Sequence, residues 1–135
     1  MDIQISNDAS LNHSIELGLP FNPAYVSSAR LTASSIANQM GFDIEEIEEI
    51  KNAISAACTY FIEAYHPNED PVSMFTVQFN IQEKELEILL SSSLADPQAN
   101  HLPSDVITIS GLMDDVNWQQ QNRQMQIQMR KKLHF

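Results

Sequence analysis

Residues 43–67 read DIEEIEEIKNAISAACTYFIEAYHP, and residues 74–90 read MFTVQFNIQEKELEILL. The change of period between these two stretches decides the fold. In the first, Ile47, Ile50, Ile54, Ala57 and Phe61 recur at three- and four-residue spacing, which gathers them on one face of a helix. Asp43 with Glu46 three residues later is a capping pair for its start. Glu45, Glu46, Glu48 and Glu49 complement the helix dipole at that end, and His66-Pro67 closes the helix. In the second stretch the period falls to two. Phe75, Val77, Phe79 and Ile81 alternate with Met74, Thr76, Gln78 and Asn80, and Leu86, Ile88 and Leu90 alternate with Glu85, Glu87 and Leu89. Two strands joined at Gln82–Lys84 make a hairpin with one buried face.

The flanking segments extend this pattern. Residues 13–19 read as a strand, and Asn22 before Pro23 is a cap followed by proline at the first helical position. Val26, Ala29, Ala33, Ile36 and Met40 form an apolar face that ends at Gly41, with Ser27, Ser28, Ser34 and Ser35 on the other faces. Residues 92–103 are a polar loop holding Pro97 and Pro103, and Ser104–Asp115 is the expected third helix. Val116 and Trp118, then Met125, Ile127 and Met129, alternate again as a second hairpin. Helices and strands in this order predict a two-layer α/β sandwich. Its helices lie on one face of a mixed, mainly antiparallel sheet, with Gln124, Gln126 and Gln128 on the other face.

Composition narrows the function. A chain of 135 residues is one domain, spanning 1–135. With 43% hydrophobic and 19% charged residues, wholesale disorder is excluded. A formal net charge of −11 repels phosphate backbones and anionic lipid, so neither nucleic acid nor membrane is an expected partner. The charge is uneven: all 18 acids lie between Asp2 and Asp115, while Arg123, Arg130, Lys131 and Lys132 crowd the end. A basic tail on an acidic body could dock on an acidic partner. The single cysteine, Cys58, excludes an internal disulfide and a Cys-rich zinc site. The first residues lack a signal-peptide pattern and no apolar run reaches the ~18 residues a span needs. The expected location is therefore a reducing cytoplasm.

Three glycines, Gly18, Gly41 and Gly111, are too few and too scattered for a phosphate-cradling loop. None of His13, His66, His101 and His134 has a second ligand at metal-binding spacing. Cys58 falls near the apolar side of its helix and reads as a small core residue. No nucleophile-elbow motif accompanies the serines. Read from its residues alone, the chain shows no catalytic set, no metal site and no cofactor site.

Residues 23–42, PAYVSSARLTASSIANQMGF, followed by residues 47–65, IEEIKNAISAACTYFIEAY, resemble the anti-sigma regulatory kinases of bacteria. These are small serine kinases of the GHKL, or histidine-kinase-like ATPase, superfamily. The likeness continues more weakly through KELEILL at 84–90 and GLMDDV at 111–116. The resemblance implies a Bergerat-type ATP site on a helix motif reading roughly Ser-Glu-Ala-Cys-Thr-Asn. There the glutamate is the general base and the asparagine holds Mg²⁺. The corresponding run here is Ser55-Ala56-Ala57-Cys58-Thr59-Tyr60. Ala56 stands at the base position, where an alkyl group cannot take a proton. Tyr60 stands at the metal position, where a neutral phenol is a poor ligand for a hard cation. Phe61 follows, and the two rings would occupy volume that a nucleotide needs. The family's Asp-x-Gly-x-Gly motif aligns with Ser92-Ser93-Leu94-Ala95-Asp96, which lacks its aspartate and both glycines. The long family lid shrinks to the stretch Ala95–Pro103.

Loss of base, metal ligand, adenine reader and lid together implies a pseudokinase with no bound cofactor and no catalytic residue. What the resemblance leaves is partner binding. Family members use the first strand and first helix for homodimer and sigma-factor contacts. Arg30, in SSARLT, matches a family arginine associated with partner contact, with Tyr25 and Leu31 flanking it. A solvated arginine paired with a nearby acid is the other reading. The expected function is a non-catalytic regulator that binds a sigma factor, a STAS-type anti-anti-sigma protein or a second copy as a homodimer. The alternative is a serine/threonine kinase with an unconventional site, in which Glu63 or Asp96 supplies the base or holds the metal. Glu63 lies seven residues after Ala56, two helical turns further along.

Overall fold

A computed structural model describes residues 13–69, 72–93 and 104–134. In chain order the elements are β1 (His13–Pro20), a 3₁₀ turn (Pro23–Tyr25), α1 (Val26–Met40), α2 (Ile44–Ala64), β2 (Met74–Ile81), β3 (Glu85–Ser93), α3 (Ser104–Ser110), β4 (Asp115–Gln121) and β5 (Gln124–Lys132). The sheet order is β1-β2-β3-β5-β4, and every pairing among these strands is antiparallel. The expected two-layer sandwich is the observed one.

Local chemistry sets the element ends. The Asn22 side chain accepts from the Ala24 N–H at 2.9 Å, and Pro23 opens a 3₁₀ turn before α1 begins. Gly41 ends α1 at φ 101°, a left-handed conformation that costs glycine little. Asp43 and Glu46 form a reciprocal capping box at the start of α2: the Glu46 N–H donates to Asp43 Oδ1 at 2.8 Å, and the Asp43 N–H to Glu46 Oε1 at 3.1 Å. Tyr65 then turns extended ahead of His66-Pro67.

The third helix is shorter than expected. It ends at Ser110, and Gly111, Leu112 and Met113 donate back to Thr108 and Ile109. The Asp114 N–H donates to the Arg130 carbonyl and its carboxylate accepts from the Lys132 N–H, so the chain is already committed to the sheet. Asp115 opens β4 and is not helical. The β4–β5 turn uses Asn122 at φ 53° and Arg123 at φ 65°, the mirror-image geometry that suits a two-residue hairpin.

The core lies between the helices and the inner sheet face. Ile50, Ile54 and Phe61 of α2 meet Phe75, Val77 and Phe79 of β2, Leu86, Ile88 and Leu90 of β3, and Met125, Ile127 and Met129 of β5, all essentially inaccessible. The outer face is polar, as the alternation predicts. Glu87 accepts from Asn80 Nδ2 at 2.7 Å and from Gln128 Nε2, and Arg130 reaches Asp115 at 3.2 Å. Gln124, Gln126 and Gln128 stand on this side.

Candidate functional site: the α2 face and the α1 surface

Two surfaces bear on the expected function. The first is the α2 face on which the resemblance places the ATP motif. Ala56 and Tyr60, four residues apart, share one side of the helix; both are half-buried and pack against the core. Their side chains offer a methyl group and a phenol, a donor set that does not fit a magnesium–nucleotide complex. Phe61 belongs elsewhere. It is wholly buried, its ring 5.4 Å from Phe75, and an aromatic run continues from Phe75 to Phe21 at 5.1 Å and from Phe21 to a stacked Tyr65 at 4.0 Å. The Tyr60 ring meets Phe61 edge-on at 6.4 Å. Phe61 thus fills the sheet–helix interior, which corrects the expectation that both rings fill a nucleotide hollow. Glu63 is exposed on α2.

Cys58 is fully buried in the same helix, and desolvation pushes its thiol from 9.0 up to about 12. A thiol that holds its proton this firmly is no nucleophile at neutral pH. Ser92, at the aligned position of the second motif, lies in β3 with its side chain turned inward, and its hydroxyl donates to the Ser93 carbonyl at 3.3 Å. The strand therefore runs further than the expected loop boundary. Leu94, Asp96 and the short Ala95–Pro103 lid lie outside the described residues.

The second surface is built on α1. Arg30 is half-buried and turned toward α2: its Nη1 donates to the Lys51 carbonyl at 3.0 Å and to the Ser55 hydroxyl. The guanidinium therefore clamps two helices beside Ala56. Leu31 is the next residue, about 100° further round the helix axis, and is 70% exposed. Tyr25, 46% exposed, sits at the helix entrance. Tyr25 and Leu31 are available at the surface and Arg30 is engaged inside it. A groove of about 480 Å³ opens between β1 and the end of α1, lined by His13, Ile15, Ile36, Gln39, Met40 and Ile81 among others.

A further contact escaped the sequence reading. Lys131 of β5 is 8% exposed at its side chain and donates to Glu49 of α2 and to the Leu112 carbonyl. It pins β5, α2 and the turn after α3 together.

No family model matches the chain. The serine-protein kinase RsbW of Bacillus cereus strain G9842 is 34% identical over 121 residues, covering 76% of this chain and 74% of its own length. The chain belongs to the RsbW family. RsbW of Bacillus cereus strain B4264 is 37% identical over 92 residues, 68% of this chain and 56% of that protein. This chain therefore spans little more than half the length of several relatives it matches. A crystal structure of the RsbU and RsbW domains of a Mycobacterium tuberculosis protein superposes with a TM-score of 0.72 at 13% identity, over 90% of this chain and 32% of that one. The likeness to anti-sigma regulatory kinases read from residues 23–42 and 47–65 is borne out, and so is the histidine-kinase-like fold. No helix among the described residues is long and apolar enough to cross a membrane.

Proposed function

We propose that this RsbW-family domain is a non-catalytic cytoplasmic regulator that works by binding a sigma factor or a STAS-type anti-anti-sigma protein. The observation that carries the reading is the chemistry of the Ala56–Tyr60 face. Where the family needs a carboxylate and an amide oxygen, this helix presents a methyl group and a phenol packed against the core. Loss of a positioned base alone costs ~10²–10⁴ in rate, and Tyr60 leaves the metal without a hard ligand. Regulation then proceeds by occlusion: a partner's working face is covered and is not phosphorylated. The exposed Tyr25 and Leu31 and the apolar groove between β1 and α1 support such a contact, since aromatic and aliphatic anchors carry binding energy at interfaces. Arg30 contributes by holding the α1 surface in place through α2.

The test is isothermal titration of the full chain with Mg-ATP, alongside radiolabelled phosphate transfer to a STAS-domain serine. Neither binding nor transfer is expected. A micromolar dissociation constant, or label on the serine, would restore the kinase reading with an unconventional site.

A further inference from the structure

The outer, polar face of the sheet divides into two halves. In one half the polar groups satisfy one another. The Ser14 hydroxyl donates to Asn80 Oδ1 at 3.0 Å, Asn80 Nδ2 donates to Glu87 at 2.7 Å, and Arg130 reaches Asp115 at 3.2 Å. The other half is built from amides. Ser91 stands in register between Thr76 and Gln126, and Gln126 between Ser91 and Gln119. The row therefore rises from short hydroxyl side chains on β2 and β3 to long amides on β5 and β4. Above it opens a cavity of about 390 Å³, lined by Ser91, Gln119, Gln121, Asn122, Gln124 and Gln126 among others, and no charged residue is among those described in its wall.

Gln124 donates to the Ser93 hydroxyl at 2.6 Å. Among the described residues, the side chains of Gln119, Gln121 and Gln126 make no hydrogen bond, so their donors and acceptors are left for solvent or a ligand. Their spacing selects that ligand. Side chains two residues apart on one strand repeat at about 6.6–6.8 Å. An extended peptide repeats at the same interval, because the N–H and C=O of every second residue leave the same side of its backbone. A primary amide carries its donor and acceptor side by side and takes both groups of one such residue. We infer that Gln119 and Gln121 of β4, with Gln124 and Gln126 opposite them on β5, bind the main chain of an extended, basic peptide segment of another protein.

Charge sets the sign of the segment. The wall offers no cation to an anionic ligand, and a net charge of −11 repels one while drawing a basic peptide in. Main-chain recognition leaves the peptide's side chains to either flank, so conformation and charge are read and residue identity is not. The site lies on the face of the sheet away from α1 and α2. It therefore stands or falls separately from the proposed sigma-factor or anti-anti-sigma contact.

The experiment is titration of the full chain, labelled with nitrogen-15, followed by amide chemical shifts, which register contacts as weak as millimolar. Three capped heptapeptides serve as probes: alternating serine and valine with a lysine at each end, the same with a glutamate at each end, and the lysine peptide N-methylated at its interior residues. The lysine peptide is expected to move resonances of β4, β5 and Ser91 with a dissociation constant of about 1 mM or tighter. The glutamate and N-methylated peptides are expected to bind at least about tenfold more weakly. Q119A/Q126A is expected to weaken the lysine peptide at least about tenfold, while Gln78→Ala, in the satisfied half of the same face, leaves it unchanged. Circular dichroism checks that both variants are folded. No shift with the lysine peptide at millimolar concentration overturns the proposal, and so do shifts confined to α1. Equal binding of the N-methylated peptide denies the main-chain contact. Equal binding of the glutamate peptide, or a Q119A/Q126A variant that binds like wild type, overturns it as well.

Discussion

The Nζ of Lys131 lies 2.7 Å from Oε1 of Glu49, joining the last strand to the first turns of α2 across 82 residues of chain. The same ammonium donates to the Leu112 carbonyl. Only 8% of this side chain is exposed, and a charge so placed persists because it is paired and hydrogen-bonded. Lys131→Met removes both bonds and leaves the Leu112 carbonyl without this donor. The expected loss is roughly 1–3 kcal/mol, read as a lower urea midpoint at unchanged slope. Glu49→Gln keeps an acceptor for the ammonium but removes its counter-charge, and with Lys131 only 8% exposed it is expected to cost at least as much as Lys131→Met.

Arg30 and Ser55 make the corresponding clamp between α1 and α2. Arg30→Ala and Ser55→Ala are each expected to cost about 1 kcal/mol, with a coupling of roughly 0.5–1 kcal/mol in the double-mutant cycle. Leu31→Ser touches an exposed side chain and is expected to leave the urea midpoint within about 0.5 kcal/mol of wild type. Partner affinity separates the two further. Loss on Leu31→Ser at unchanged stability marks a contact residue, whereas loss on Arg30→Ala that tracks stability marks a supporting one.

Tyr60 and Phe61 are neighbours in sequence with opposite roles. Phe61→Ala empties the space between α2 and Phe75 and is expected to cost about 3–5 kcal/mol. Tyr60→Asn, which puts in the side chain that the resemblance implies here, changes a half-buried face and is expected to cost less than about 2 kcal/mol. Equal destabilisation by the two would show that Tyr60 is as much a core residue as Phe61.

What the sequence revealed and what it hid follow from the range of each interaction. The stripe Ile50–Ile54–Ala57–Phe61, the alternation of β2 and β3, the Gly41 stop and the Asp43–Glu46 box are all set by neighbours within a few residues, so periodicity and cap chemistry expose them. The early end of α3 also had a local signal, since Gly111 sits just past Ser110. Lys131 had one too: it continues the inward parity of Met125, Ile127 and Met129, and a lysine on the buried side of a strand asks for an acid across the core. Which acid, and that Arg30 would turn to Ser55, depend on how the helices cross, and no local pattern encodes that. The motif face shows the same division. Residue identity gave a methyl group at Ala56 and a phenol at Tyr60, but only the packed structure assigned Phe61 to the core.

Cys58 gives the fold a dependence on alkaline pH. Burial raises its thiol from 9.0 to about 12 in the folded chain, so the unfolded chain releases this proton first. Below pH 9 both states hold the proton and Cys58 contributes no slope. Between about 9 and 12 the unfolded state binds fewer protons, and stability falls as pH rises, at no more than about 1.4 kcal/mol per pH unit. Cys58→Ala removes this component and leaves every other titratable group in place. The variant is expected to be less stable than wild type at pH 7 by about 1 kcal/mol, from lost packing, yet to lose less on going from pH 8.5 to 10.5 (about two units). Urea midpoints of both proteins across that range check it. Parallel curves would mean that the thiol is reached by solvent in the folded chain, and a thiol-reactive dye would then label Cys58 quickly at neutral pH, where slow labelling is expected.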